Sequence, residues 1–191
     1  MKAFEGWYRI RSKKNRVTQN AFYGPFATAV LALGLLGGAP QEKPAPQEKP
    51  AVADEHHHGV VERGDHVMGF SHEKTAHHFR LYADGGAIEA EATDSQDAAS
   101  RDAVRSHFTH IAKMFAAGDF TAPMLIHVQN PPGTQEMKRL RDAIQYKLEN
   151  TEHGGRIRIT TKNAKALRAV HTFLRFQIAD HQTGDSTEVS K

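Results

Sequence analysis

Two stretches of this chain repeat the same pattern of elements in step, which restricts the fold more than any other feature of the sequence. His77–Tyr82 (HHFRLY) alternates, placing His77, Phe79 and Leu81 on one face and His78, Arg80 and Tyr82 on the other. Asp84-Gly85-Gly86 is a turn signal, and Ala87–Ala92 (AIEAEA) alternates again, with Ile88 inward and Glu89 and Glu91 outward. Asp94 or Ser95 then caps a helix that runs to Ala117 and stops at Gly118. Its apolar stripe, Val104, Phe108, Ile111 and Phe115, has helical spacing. The order recurs downstream: Ile144–Leu148 alternates, Glu152-His153-Gly154-Gly155 turns, and Arg156–Thr161 alternates. Asn163 caps a second helix that carries Ala166, Val170, Phe173, Leu174 and Ile178 and ends before Gly184. Gly85-Gly86 maps onto Gly154-Gly155, Ile88 onto Ile157 and Asp94 onto Asn163 at a constant offset of 69 residues. The reading is a duplicated ββα unit; two independent hairpin–helix units are the alternative.

One ββα unit leaves its sheet thinly covered. Two can join edge to edge with both helices on one side, which predicts an α+β two-layer sandwich with a mostly antiparallel sheet. The opposite sheet face would carry Arg80, Tyr82, Glu89, Glu91, Arg156 and Arg158, suited to water or to a partner. Between the units, Pro123–Val128 (PMLIHV) reads as a strand broken by Pro131-Pro132-Gly133, and Thr134–Asp142 as a short helix or ordered loop. The duplicated domain spans residues 60–185, with 186–191 a disordered tail.

Charge is unevenly placed. Residues 1–39 hold six Lys/Arg and one Glu; the rest of the chain holds 19 basic and 21 acidic residues, which offers no phosphate-binding excess and argues against nucleic acid. The basic stretch to Arg16, the apolar run Ala21–Leu36 and Gly37-Gly38-Ala39 read as a signal peptide cleaved near Ala39, with an uncleaved membrane anchor or a buried core helix as alternatives. The protein is then periplasmic or secreted, and would touch a membrane only through that segment. Residues 40–59 contain a tandem PQEKPA, an extended Pro-rich spacer, and the tract His56-His57-His58, either a solvated segment or a metal-collecting arm. With no cysteine anywhere, an exported fold must rest on its core.

Seven histidines lie between His66 and His127, and Met68, Met114 and Met124 sit among them. On the first long helix His107, His110 and Met114 are spaced i, i+3, i+7 and share a side next to the apolar stripe: a half-sheltered metal site, or a polar shoulder of the core. His77 has the inward phase of Phe79 and Leu81, whereas His78 points to solvent. His66 and Met68, with His72, form a candidate upstream clamp in extended chain. His127 ends the PMLIHV segment and either converges on the site or stays in a loop. His153, His171 and His181 read as structural.

Imidazole plus thioether without thiolate favours copper. Non-covalent haem b is the second choice, and zinc, through three histidines and Glu73 or Asp65, the third. The absence of Cys-x-x-Cys-His excludes covalent haem. Gly-x-Ser-x-Gly, a cysteine nucleophile and a Gly-rich phosphate loop are all missing, so catalysis has little support.

Gly69-Phe70-Ser71-His72-Glu73-Lys74 with His77-His78-Phe79, His107 to Phe115 (HFTHIAKMF), and Pro123-Met124 with His127 resemble small, uncharacterised exported proteins of environmental bacteria. The resemblance covers residues 65–185 and implies a shared domain. Some such relatives carry an aspartate carbamoyltransferase label; this chain has no Ser-Thr-Arg-Thr-type carbamoyl phosphate loop. The sequence thus leads to an expectation of an exported metal-binding protein for copper storage, delivery or sensing. A haem-binding protein, or a cofactor-free interaction module with an envelope protein partner, are the alternatives.

Overall fold

The computed structural model describes residues 51–190, with side chains from Glu55 onward; the signal or anchor reading of residues 1–39 and the PQEKPA repeats lie outside the described residues. The elements are α1 (Ala51–Met68), β1 (Thr75–Tyr82), β2 (Gly85–Ala92), α2 (Ala98–Ala116), α3 (Thr121–His127), α4 (Thr134–Arg139), β3 (Ile144–Asn150), β4 (Gly154–Thr161) and α5 (Ala164–Asp180). The four strands form one antiparallel sheet in the order β1-β2-β4-β3. The architecture is the α+β sandwich that the repeat implies.

The two units meet at the sheet centre. Ile88 stands directly opposite Ile157, Ala87 opposite Arg158 and Glu89 opposite Arg156. Since Ile157 is itself the repeat equivalent of Ile88, a local two-fold axis passes through this pair. The helices cross over: α2 lies mainly on β4 and β3, and α5 on β1 and β2. Each helix therefore covers the other unit's hairpin, and neither unit can bury its core alone. That core is Phe79, Leu81, Ile88, Ile157 and Ile159 from the sheet against Val104, Phe108, Phe115, Val170, Phe173 and Leu174 from the helices.

The helix starts follow their caps. Asn163 Oδ1 accepts from the backbone N–H of Lys165 (2.9 Å) and Ala166 (3.1 Å). On α2 the cap is Asp97, one turn later than Asp94; its carboxylate accepts from Ser100 N (2.9 Å). Replacing Asn163 with Ala should cost about 1 kcal/mol in urea unfolding, the usual value of such a cap.

Three expectations need correction. PMLIHV is helical, not a strand: Pro123 sits in the first turn of α3, where its missing N–H costs nothing, and the run is too short for periodicity to decide. The spacer does not extend to residue 59, because residues 51–59 belong to α1. Val60, Gly64, Val67 and Met68 line one face of α1, which packs on α3. Within the expected disordered tail 186–191, the described residues 186–190 are held: Ser190 N donates to Leu81 O (2.9 Å), and Arg175 Nε to Thr187 O (3.0 Å). Asp185 accepts from Phe79 N (2.9 Å) and from Arg80 (3.0 Å).

The outer sheet face carries the predicted charges as a chain of ion pairs: Asp185–Arg80 (3.0 Å), Arg80–Glu89 (3.6 Å), Glu89–Arg156 (2.7 Å), Arg156–Glu149 (3.7 Å) and Glu149–Lys147 (3.1 Å). Arg158 stacks 4.6 Å over the Tyr82 ring. These charges answer one another across the face.

Candidate functional site

A cavity of about 60 Å³ lies between the sheet, α2, α5 and the α1–α3 layer, bounded by Met68, His77, Phe79, His107, Phe108, Phe173, Gln177 and His181 among others. Each wall follows from local pattern. β1 alternation turns His77 inward with Phe79 and Leu81. His107 precedes Phe108 on the rim of the α2 stripe, and Met68 ends α1 on its packed face. Gln177 belongs to the buried face of α5, and His181, directly after that helix, extends the same face beyond Leu174 and Ile178.

The imidazoles form a line through this layer. Phe70 stacks on His77 (5.6 Å between centroids) and meets His107 edge-on at 5.6 Å; His77 stacks on His181 (6.3 Å), and His181 meets His127 edge-on at 4.9 Å. Burial pushes His77 down to about 4, with His78 adding to the shift and Asp65 opposing it. Burial likewise lowers His107 to about 4 and His181 to about 3, each helped by neighbouring histidines. All three are neutral at physiological pH, the form that can ligate a metal. The Nε2 atom of His77 and the amide nitrogen of Gln177 are buried without a hydrogen-bond partner among the described residues. Such orphaned atoms are uncommon in folded proteins and mark a place for water, an ion or a ligand.

The other sequence-derived candidates do not join them. His66 is exposed and, on helical α1, cannot form an extended His-x-Met clamp with Met68. His72 is exposed and bonds Asp65 (2.9 Å), which removes that carboxylate from any zinc set. His110 faces solvent, and Met114 packs against the core margin. The i, i+3, i+7 set on α2 is therefore split, since the apolar stripe turns His107 toward Phe70 and leaves His110 outside. His127 is fully buried, but Nδ1 meets Asp180 at 2.5 Å and Nε2 meets Gln177 Oε1 at 3.0 Å, so both ring nitrogens are taken. His78, expected in solvent, is half-buried and bonds Asp185 (3.0 Å). The carboxylate of Asp180 is also reached by His56 (2.9 Å). Burial would raise its pKa, yet the bonds from His56 and His127 hold it below the usual carboxylate range. His56 is thus a tether of α1; no sequence signal links it to Asp180.

His181 is the cavity residue that sequence reasoning places among the structural histidines. Its spacing from Leu174 and Ile178, i+7 and i+3, is the available signal. Among the described residues no three His, Asp or Glu side chains are grouped to hold a metal ion. Sixty cubic ångströms accommodate an ion or a water or two, not a porphyrin. No described helix is long and apolar enough to cross a membrane. Compared with protein-family models, curated proteins and solved structures, the chain matches none.

Proposed function

We propose that the protein is an exported copper-binding protein that holds Cu(I) between His77 and His107, with the thioether of Met68 as third donor. The observation that carries this reading is the unpartnered Nε2 of His77 in a cavity that His107 and Met68 also line. Three features support it. The histidines are neutral, so no proton must be displaced before a metal binds. Soft Cu(I) accepts low coordination numbers and thioether donors, which matches two imidazoles and a methionine better than the oxygen-rich or three-histidine sets of other metals. Burial in an apolar layer shields such an ion from water and oxidant, as storage or delivery requires. Export rests on the basic-then-apolar N-terminus.

Titration of the purified full chain with Cu(I) against a chromogenic chelator tests this. One high-affinity equivalent is expected in the wild type. His77→Ala with His107→Ala should weaken it at least 100-fold while far-UV circular dichroism stays native, and His110→Ala with His66→Ala should leave it unchanged. Wild-type affinity in the His77/His107 double variant would sink the reading.

A further inference from the structure

The two edges of the sheet are repeat equivalents, yet they are treated differently. The local two-fold through Ile88 and Ile157 makes β1 and β3 counterparts. At β1 the C-terminal segment runs alongside: Asp185 accepts from Phe79 N, Ser190 N donates to Leu81 O, and Ser190 bridges Tyr82 in parallel. At β3 nothing comparable occurs. Among the described residues, the backbone hydrogen bonds of the strand run to β4, apart from the local turn in which Ile144 N donates to Arg141 O at its start. The segment after α2, which the repeat would place there, is instead folded into α3 and α4. The inward row of β3 shows the consequence. Phe79 and Leu81 on β1 are buried, whereas Tyr146 and Leu148 on β3 are only partly covered, and the Tyr146 hydroxyl is buried without a hydrogen-bond partner among the described residues. An open edge with half-covered apolar side chains invites another strand.

We infer that the β3 edge pairs with β3 of a second copy, antiparallel about Leu148, making a continuous eight-stranded sheet across two molecules. The sequence of β3 is self-complementary in that register. Leu148 stands opposite its own copy, Lys147 opposite Glu149 and Tyr146 opposite Asn150, so the charged row places a cation against an anion twice. Within one molecule Lys147 already pairs with Glu149 (3.1 Å), and Glu149 also reaches Arg156 (3.7 Å). Pairing two copies therefore joins their two ion chains end to end without stranding a charge. A register centred on Lys147 would oppose like charges and is disfavoured. The second copy would also extend the cover over Tyr146 and Leu148, as the C-terminal segment extends it over β1.

The chain has no cysteine, so a single introduced thiol reports the register. Leu148→Cys in the full chain should give a covalent dimer on mild oxidation, because two copies of that residue face each other across the axis. Gln145→Cys, three positions off the axis, should cross-link at least tenfold less. Lys147→Glu sets a second carboxylate against Glu149 of the other copy and should shift the full chain to monomer in sedimentation, with circular dichroism unchanged. Lys147→Glu combined with Glu149→Lys restores opposite charges and should restore the dimer. A wild type that sediments as a monomer up to 0.1 mM (roughly the weakest association a specific strand pairing of this size would show), or equal cross-linking at residues 145 and 148, would overturn the inference.

Discussion

Metal-free protein taken from pH 7 to pH 4 is expected to lose its α1–α3 layer and then its fold. His77, His107 and His181 have folded-state values of about 4, 4 and 3, below the ordinary 6.5. Above pH 6.5 they are neutral in both the folded and unfolded chains and cost nothing. Below it the unfolded chain takes up protons that the folded chain refuses, so stability falls with falling pH until the folded values are reached. Each histidine can remove on the order of 3 kcal/mol across that window. Three together rival the whole stability of an ordinary domain, about 5–15 kcal/mol. The tether that His56 and His127 make to Asp180 does not offset this, because that carboxylate stays ionised through most of the range. Far-UV circular dichroism against pH should show a cooperative loss between pH 6 and 4. A domain that stays folded at pH 4 would mean that these imidazoles are hydrated.

The second large effect concerns the repeated glycines. A Cβ on Gly85 would lie 2.0 Å from the carbonyl oxygen of Ile159, and a Cβ on Gly154 would lie 2.0 Å from that of Ala90. Ile159 and Ala90 are themselves one repeat apart, so the same close approach occurs at both ends of the β2–β4 ladder. Gly85 also has φ of +152°, a backbone conformation that side chains disfavour. The obstacle in each case is backbone, which cannot rotate aside. Gly154→Ala should therefore cost about 3 kcal/mol, the upper range for overpacking. Gly85→Ala should cost at least as much, and the pair should abolish folding in urea and thermal melts. Gly69, where nothing lies within 4 Å of a Cβ, provides the control for steric cost.

Those glycines explain why so much of the architecture is legible in the sequence. The repeat of Gly-Gly at fixed offset reflects a real contact between the two hairpins, and alternation in β1, β2 and β4 reports which face is buried. The site is less legible, because its walls come from six elements and only pairwise geometry decides which imidazoles meet. His77 can be assigned from phase alone. Helical phase sets His107 nearer the stripe than His110, but only the contact with Phe70, from the segment before β1, shows that His107 joins the buried line. Residues 51–59 look like spacer because Gly59 and the His tract weaken intrinsic helix propensity; the stripe from Val60 to Met68, docked on α3, outweighs it. The end of α3 illustrates the same limit. Val128 adopts a left-handed φ of +54°, unusual for a β-branched residue, and no local signal in PMLIHV announces it.

Entry of copper into the His77–His107 cavity is reported most directly by the imidazole resonances. In a long-range ¹H–¹⁵N spectrum of histidine-labelled full chain, one equivalent of Cu(I) should shift the ring nitrogens of His77 and His107 while those of His110 and His127 stay in place. Shifts confined to His56–His58 or His110, with the His77 ring unmoved, would contradict it.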